Sequence, residues 1–282
     1  MDILHLQQLI NQAILEDVGE GDHTTLSCIP PEAQGHAVLK IKQSGILAGV
    51  AVAEIIFQQI DPSLIFIKGI ADGDSVENGQ VAFEVKGSVH SILKAERLVL
   101  NTMQRMSGIA TLTKQYVKKI ENYSTQLLDT RKTTPNFRLL EKEAVRIGGG
   151  MNHRFGLYDM ILIKDNHIDY CGSIEKAIDC AYAYVQKTKP GLQIEVETRS
   201  LDDVRKAIDS QKVDRIMFDN FSPEQIVEAL KIINGTCKTE ASGGINFNNI
   251  EKYAATGVDF ISSGSLIHQA QSIDLSLKAV IV

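Results

Sequence analysis

Two textures of hydrophobic patterning divide the chain. Ile3, Leu6, Ile10 and Ile14 recur at helical spacing and predict a short amphipathic helix over residues 3–15. Mixed signals follow. HAVLKIKQ (36–43) reads as a strand, SGILAG (44–49) as a turn-rich connection and VAVAEIIFQQI (50–60) as a helix. LIFIKG (64–69) and VAFEVKG (81–87) predict strands on either side of the turn-forming DGDSVENG. A long helical stretch over about 90–121 comes next, with a break expected near Ser107 and Gly108. Clustered strands with helices between them predict an α+β unit.

From about residue 125 the pattern is regular. Short apolar runs stand at 126–129, 160–164, 193–197, 215–219, 237–241 and 259–263, and segments such as 201–209, 223–230 and 248–255 between them have helical periodicity. Comparable strand ends fall at Glu197, Asp219, Ala241 and Ser263, three successive steps of 22 residues. That length suits one strand, one helix and two loops. Such alternation predicts parallel strands with crossover helices, and six strands without a long interruption favour a closed barrel over an open sheet.

In a parallel barrel, functional groups gather where strands end. The runs here stay apolar until their last residue or two and then turn charged or glycine-rich: Asp129–Lys132, Lys164–His167, Glu195–Glu197, Asp219–Asn220, Ser242–Gly244 and Ser263–Ser265. Arg131, Lys132, Lys164 and the pair His153–Arg154 in the loop GGGMNHRFG make a cationic set. Any one of these could be a solvated partner of helix acids, but five together suit a strongly anionic small substrate. SGG (242–244) and SGS (263–265) follow the last two strands, where barrels commonly bind phosphate through backbone N–H groups. Glu197 and Asp219 end neighbouring strands, and few hard oxygen ligands beside a phosphate substrate are what Mg2+ prefers. Glu195 points the same way as Glu197 in a regular strand, but the residue nearer the strand end is favoured. Arg97 lies on a helix between Leu93 and Leu100, an apolar flank that suits an interface better than free solvent.

Composition narrows the classes. With 29 Lys+Arg against 35 Asp+Glu the formal charge is −6, which argues against a broad nucleic-acid-binding surface. No apolar run reaches the roughly 18 residues of a membrane span. The opening MDILHLQQLI lacks a basic segment ahead of its apolar residues, so it does not read as a signal peptide. Four cysteines without CxxC spacing read as reduced thiols. A cytoplasmic enzyme is the expectation.

The motifs EDVGEGDHTT (16–25), GILAG (45–49), ERLVLNTMQRMSGIAT (96–111), DTRKTTPNFRLLEK (129–142), GGGMNHRFGLYDMILIKDNHI (148–168), IEVET (194–198), MFDNF (217–221), EASGGI (240–245) and ISSGSLIH (261–268) run almost end to end. In them the chain resembles the quinolinate phosphoribosyltransferases. The resemblance implies an α/β fold: an N-terminal α/β sandwich domain over 1–110 and an incomplete, six- to seven-stranded parallel α/β barrel over 111–282. The last dozen or so residues are free to pack back on the first domain.

It also implies a homodimer in which Arg97 is donated across the interface. Arg131, His153, Arg154 and Lys164 would bind the carboxylates of quinolinate. Lys132, Glu197 and Asp219 would serve phosphoribosyl pyrophosphate and its Mg2+, and Ser242, Gly243, Gly244, Ser263 and Gly264 the phosphate-binding loops. Asn136 stands where the family usually has Gly, a substitution that left-handed backbone tolerates. Met151 replaces a small residue, with a slight reshaping of the pocket rim as the expected result.

Three other readings remain open at this level. A barrel lyase would use Lys164 as a Schiff-base former. A paralogue of the same fold would act on another anionic substrate. A non-catalytic module would bind a phosphorylated sugar.

Overall fold

The computed structural model describes residues 2–280, which form two compact units. The first contains residues up to 114, 133–149 and the stretch from 266 onward; the second contains 115–132 and 150–265. The chain begins with α1 (Ile3–Val18), α2 (His23–Cys28), β1 (Gln34–Ile41), β2 (Gly45–Ile46) and α3 (Val50–Ile60). It continues through β3 (Ile65–Lys68), β4 (Ser75–Val76), β5 (Val81–Ser88) and α4 (Val89–Lys119). Then come β6 (Gln126–Leu128), α5 (Arg138–Ile147), β7 (Ile161–Ile163), α6 (Asp165–Cys171), α7 (Ile174–Thr188) and β8 (Ile194–Thr198). The remainder is α8 (Leu201–Asp209), β9 (Arg215–Asp219), α9 (Pro223–Ile233), β10 (Lys238–Ser242), α10 (Ile250–Ala254), β11 (Phe260–Ser262), α11 (Ser265–His268) and β12 (Leu275–Ala279).

The first unit is built on an antiparallel sheet in the order β12-β1-β5-β3, with β2 and β4 as a separate pair. Phe57, Phe66 and Phe83 stack within it, Phe66 and Phe83 with ring centroids 4.6 Å apart. Helix α3 takes its N-terminal cap from a distance: Asp72 accepts the Val50 and Ala51 N–H groups at 2.8 and 3.1 Å.

The break expected near Ser107–Gly108 is absent, and α4 runs unbroken for 31 residues. Ser107 Oγ accepts the Ala48 N–H at 2.9 Å and donates to the Ala48 carbonyl at 3.1 Å. A Cβ at position 108 would overlap the Gln271 carbonyl. Both residues serve close backbone approach, which overrides their weak helix propensity.

One fully buried carboxylate organises this unit. Glu141 accepts hydrogen bonds from Arg105 Nε (3.0 Å) and Nη2 (2.8 Å), from Thr134 N (2.8 Å) and from Thr134 Oγ1 (2.9 Å). Arg105 spends its remaining donors on the carbonyls of Ala270 and Ile267.

The second unit holds a six-stranded parallel sheet in the order β6-β11-β10-β9-β8-β7. Three of its helices, α7, α8 and α9, start from serine caps: Ser173, Ser200 and Ser222 each accept a backbone N–H of the first turn, and Gln225 closes a capping box on α9. The sheet stays open, as the incomplete barrel implied by the resemblance requires, and does not close as the periodicity alone favours. Strands β6 and β7 lie at opposite edges, and among the described residues only the bridge Leu128–Met151 extends the ladder at β6. These edge strands are three residues long, and α5, the helix between them in sequence, clusters with the other unit.

Candidate active site

Side chains two apart on a strand share a face, so each strand of the parallel sheet presents a short ladder of inward residues. Leu162 and Lys164 at β7, Met217 and Asp219 on β9, and Glu240 and Ser242 on β10 are such pairs, and all six line one cavity of about 380 Å3. Thr130, Arg131 and Lys132 just beyond β6, His153 and Arg154 from the following loop, Glu197, Gly243 and Ser262 complete its wall. The cavity therefore sits at the C-terminal ends of the strands, with polar groups at the tips and Leu162 and Met217 one layer below.

The five cations share this one volume. Arg131 Nε is buried with no hydrogen-bond partner among the described residues, and Arg154 is tied by Nη1 to the Met160 carbonyl at 3.1 Å. Burial, followed by the charge of Arg131, holds the Arg154 guanidinium below its usual value. Like charges crowded in a cavity are the signature of a site shaped for an anion. Lys164 Nζ lies 3.1 Å from Glu197 Oε2.

Glu197 and Asp219 both face the cavity, as the sequence pattern expects, and Asn220 Nδ2 donates to Asp219 Oδ2 at 2.8 Å. Two oxygen donors on adjacent strands, open to a shared volume, fit a hard divalent cation that completes its shell from phosphate and water. Gly243, at φ +92°, passes so close to Asn220 that a Cβ would collide with it, while Ser242 accepts the Asn220 N–H.

Beneath the cations lies a second group of charges. His153 Nε2 is 3.0 Å from Glu195 Oε2 and 3.3 Å from Glu240 Oε2. Arg215 Nη1 is 3.0 Å from the same Glu240 oxygen. Burial disfavours a charged imidazole, but the two carboxylates outweigh it and push His153 up to about 9. Burial and then the charge of Glu240 push Glu195 up to about 7. Although the donor atoms of His153, Glu195 and Glu240 lie within 4.8 Å of one another, Arg215 and His153 already supply the counter-charge that a metal ion would bring.

Of the residues singled out in the sequence, Arg131, Lys132, His153, Arg154, Lys164, Glu197, Asp219, Ser242 and Gly243 line the cavity. Gly244, Ser263 and Gly264 stand outside this lining, and Ser263 Oγ instead donates to the Ile245 carbonyl at 2.9 Å. Arg97 is exposed on α4 of the first unit, with Leu93 exposed beside it and Leu100 buried.

Residues 22–107 match the family domain described as "Quinolinate phosphoribosyl transferase, N-terminal domain" and residues 109–278 its C-terminal counterpart. The chain belongs to the quinolinate phosphoribosyltransferase family. Quinolinate phosphoribosyltransferase [decarboxylating] 1 of Nicotiana glauca is 43% identical over 288 residues, covering 97% of this chain and 82% of that protein. The probable nicotinate-nucleotide pyrophosphorylase [carboxylating] of Bacillus subtilis is also 43% identical, over 100% of this chain and 96% of its own. Among solved structures, the nicotinate-nucleotide pyrophosphorylase from Francisella tularensis superposes with a TM-score of 0.91 at 40% identity, covering 99% of this chain and 98% of that one.

Two departures from the family pattern have structural outcomes. Asn136 adopts φ +62°, the left-handed conformation that a glycine would supply there. Met151 is 44% exposed and stands outside the cavity lining. The residues lining this cavity that the strand-tip reading did not single out are Leu162, Met217, Glu240 and Ser262. Stepping two residues back from Ser242, Asp219 and Lys164 finds three of them.

Proposed function

We propose that this chain transfers the phosphoribosyl group of phosphoribosyl pyrophosphate to the ring nitrogen of quinolinate, releasing pyrophosphate and CO2 and yielding nicotinate mononucleotide. The observation that carries this reading is the meeting of five cations and two carboxylates, from separate strand tips and the loop after β6, in one cavity. Arg131, Arg154 and Lys164 hold the two carboxylates of the pyridine, with guanidinium forks matched to carboxylate geometry. That fixes the ring nitrogen against the anomeric carbon, so the attack becomes effectively intramolecular. Lys132 stabilises the departing charge in a loose, oxocarbenium-like transition state, where preorganised cations matter more than a base. Once the nitrogen is alkylated, the pyridinium ring is the electron sink, and the carboxylate beside the nitrogen leaves as CO2. Ser242 and Gly243, with the adjoining Gly244, Ser263 and Gly264, hold the 5′-phosphate. Glu197 and Asp219 would hold Mg2+, which neutralises pyrophosphate charge when bound.

We place the chain in a homodimer in which Arg97 reaches the cavity of the second copy. Its exposure, with an exposed Leu93 one turn away, supports this. No described helix is long and apolar enough to cross a membrane, which is compatible with a cytoplasmic location.

A Schiff-base lyase is disfavoured by the ion pair of Lys164 with Glu197, since a nucleophilic lysine needs desolvation or a neighbouring cation. The deciding experiment incubates purified protein with quinolinate, phosphoribosyl pyrophosphate and Mg2+. Stoichiometric CO2 and nicotinate mononucleotide are expected; turnover of neither substrate refutes the assignment.

A further inference from the structure

We propose that Asn249 is a positioning residue for the 5′-phosphate: it clamps the loop after β10 so that the Gly244 carbonyl is drawn back and the Ile245 N–H is turned toward the anion. The inference rests on the phosphoribosyl-transfer reading above, which places that phosphate at the loop beginning with Ser242 and Gly243.

Two consecutive left-handed glycines, Gly243 at φ +92° and Gly244 at φ +62°, swing the chain away from the tip of β10. The side chains that follow decide which backbone groups of the loop remain available. Asn249 Nδ2 donates to the Gly244 carbonyl at 3.1 Å, and its Oδ1 accepts the Asn246 N–H at 2.7 Å. Asn246 Nδ2 adds a longer bond to the same carbonyl at 3.3 Å. The next carbonyl, that of Ile245, is taken by Ser263 Oγ at 2.9 Å.

In a trans peptide the C=O and the N–H point in opposite directions. Holding the Gly244 carbonyl against the two asparagines therefore aims the Ile245 N–H the other way. Among the described residues, neither the Gly244 N–H nor the Ile245 N–H meets an acceptor. Adjacent unpaired N–H groups are donors for a phosphate, whereas a carbonyl swung into their place would repel it. The clamp is carried on a fixed element, because Asn249 immediately precedes α10, whose first residue, Ile250, is fully buried. Arg154 and Lys164 spend their side-chain bonds elsewhere, on the Met160 carbonyl and on Glu197, so the effect falls on the phosphate and spares the diacid.

The test sets two competitors of phosphoribosyl pyrophosphate against each other: ribose 5-phosphate, which carries the 5′-phosphate, and inorganic pyrophosphate, which does not. Asn249→Ala is expected to weaken inhibition by ribose 5-phosphate about tenfold and to leave inhibition by pyrophosphate within about twofold. The KM for phosphoribosyl pyrophosphate should rise by a similar factor while the KM for quinolinate stays within about twofold. A loop that is merely loosened would not separate the two competitors. Should Asn249→Ala fail to fold, Asn246→Ala, which removes the second donor to the Gly244 carbonyl, is read against the same pair, with a selective loss of about threefold expected. Inhibition by both competitors weakened alike, or by neither, overturns the proposal with the activity reading intact. A wild type that turns over neither substrate overturns both.

Discussion

Each unit buries a cluster of charge, and the two clusters differ in how completely their atoms are matched. Around Glu141, the Arg105 guanidinium, the Thr134 hydroxyl and the Thr134 N–H converge on the two carboxylate oxygens, and the spare guanidinium donors go to carbonyls. Around His153, by contrast, Glu195 Oε1 and Glu240 Oε1 are buried with no hydrogen-bond partner among the described residues. The first is a closed structural joint. The second is balanced in charge by Arg215 and His153 but leaves carboxylate oxygens without hydrogen bonds, directly under the cationic cavity. A matched buried charge holds a fold together; an unmatched one biases the groups above it.

The sharpest way to break this contrast is to remove a charge from the matched cluster. Glu141→Gln should lose about 3–5 kcal/mol of stability by leaving Arg105 without its counter-ion, read as a large drop in melting temperature. In the unmatched cluster the lever is pH. The native state raises His153 from 6.5 to about 9, so it binds a proton more tightly than the unfolded chain does. That contribution is complete below pH 6.5 and is lost as pH rises through 9. Melting temperature should fall over this window by the equivalent of up to about 3 kcal/mol, and His153→Gln should flatten the fall.

At the pocket above, Lys164→Ala and Arg131→Ala should each reduce quinolinate turnover roughly ten- to hundredfold, about 1.5–3 kcal/mol, with little change in melting temperature. Mixing equal amounts of the separately impaired Arg97→Ala and Lys164→Ala proteins should restore about a quarter of wild-type activity above their residual rates, because half of the reassorted dimers contain one intact site. No recovery would show that Arg97 acts within its own chain. The smallest effect sharpens the contrast by its sign: Glu195→Gln at pH 8 should leave stability unchanged or raise it by about 1 kcal/mol, since it removes a carboxylate that burial and Glu240 already disfavour.

Much of the second unit was legible in the chain. All six parallel strands coincide with the apolar runs, β8 and β10 extending one residue past theirs, α8 spans the predicted 201–209, and the cations at the strand tips share a cavity as their clustering suggests. Asn136 could be read as left-handed because few other side chains tolerate that backbone. What the pattern hid depends on distant partners. Ser107 and Gly108 look like a helix break until Ala48 and Gln271 are seen against them. Glu141 and Arg105 are 36 residues apart, and nothing local marks them as a pair. Glu240 was passed over because attention to the tips stops one layer too high, and Glu195 was set aside for Glu197 although both face inward.

The open seam between β6 and β7 has one more consequence. An unclosed sheet exposes N–H and C=O groups that can template pairing with a stray strand, which is a route to aggregation. Here each bordering strand is only three residues long, and Met151 already takes up part of the β6 border. So short a border offers an intruding chain too few rungs to hold, and most residues of both bordering strands are buried.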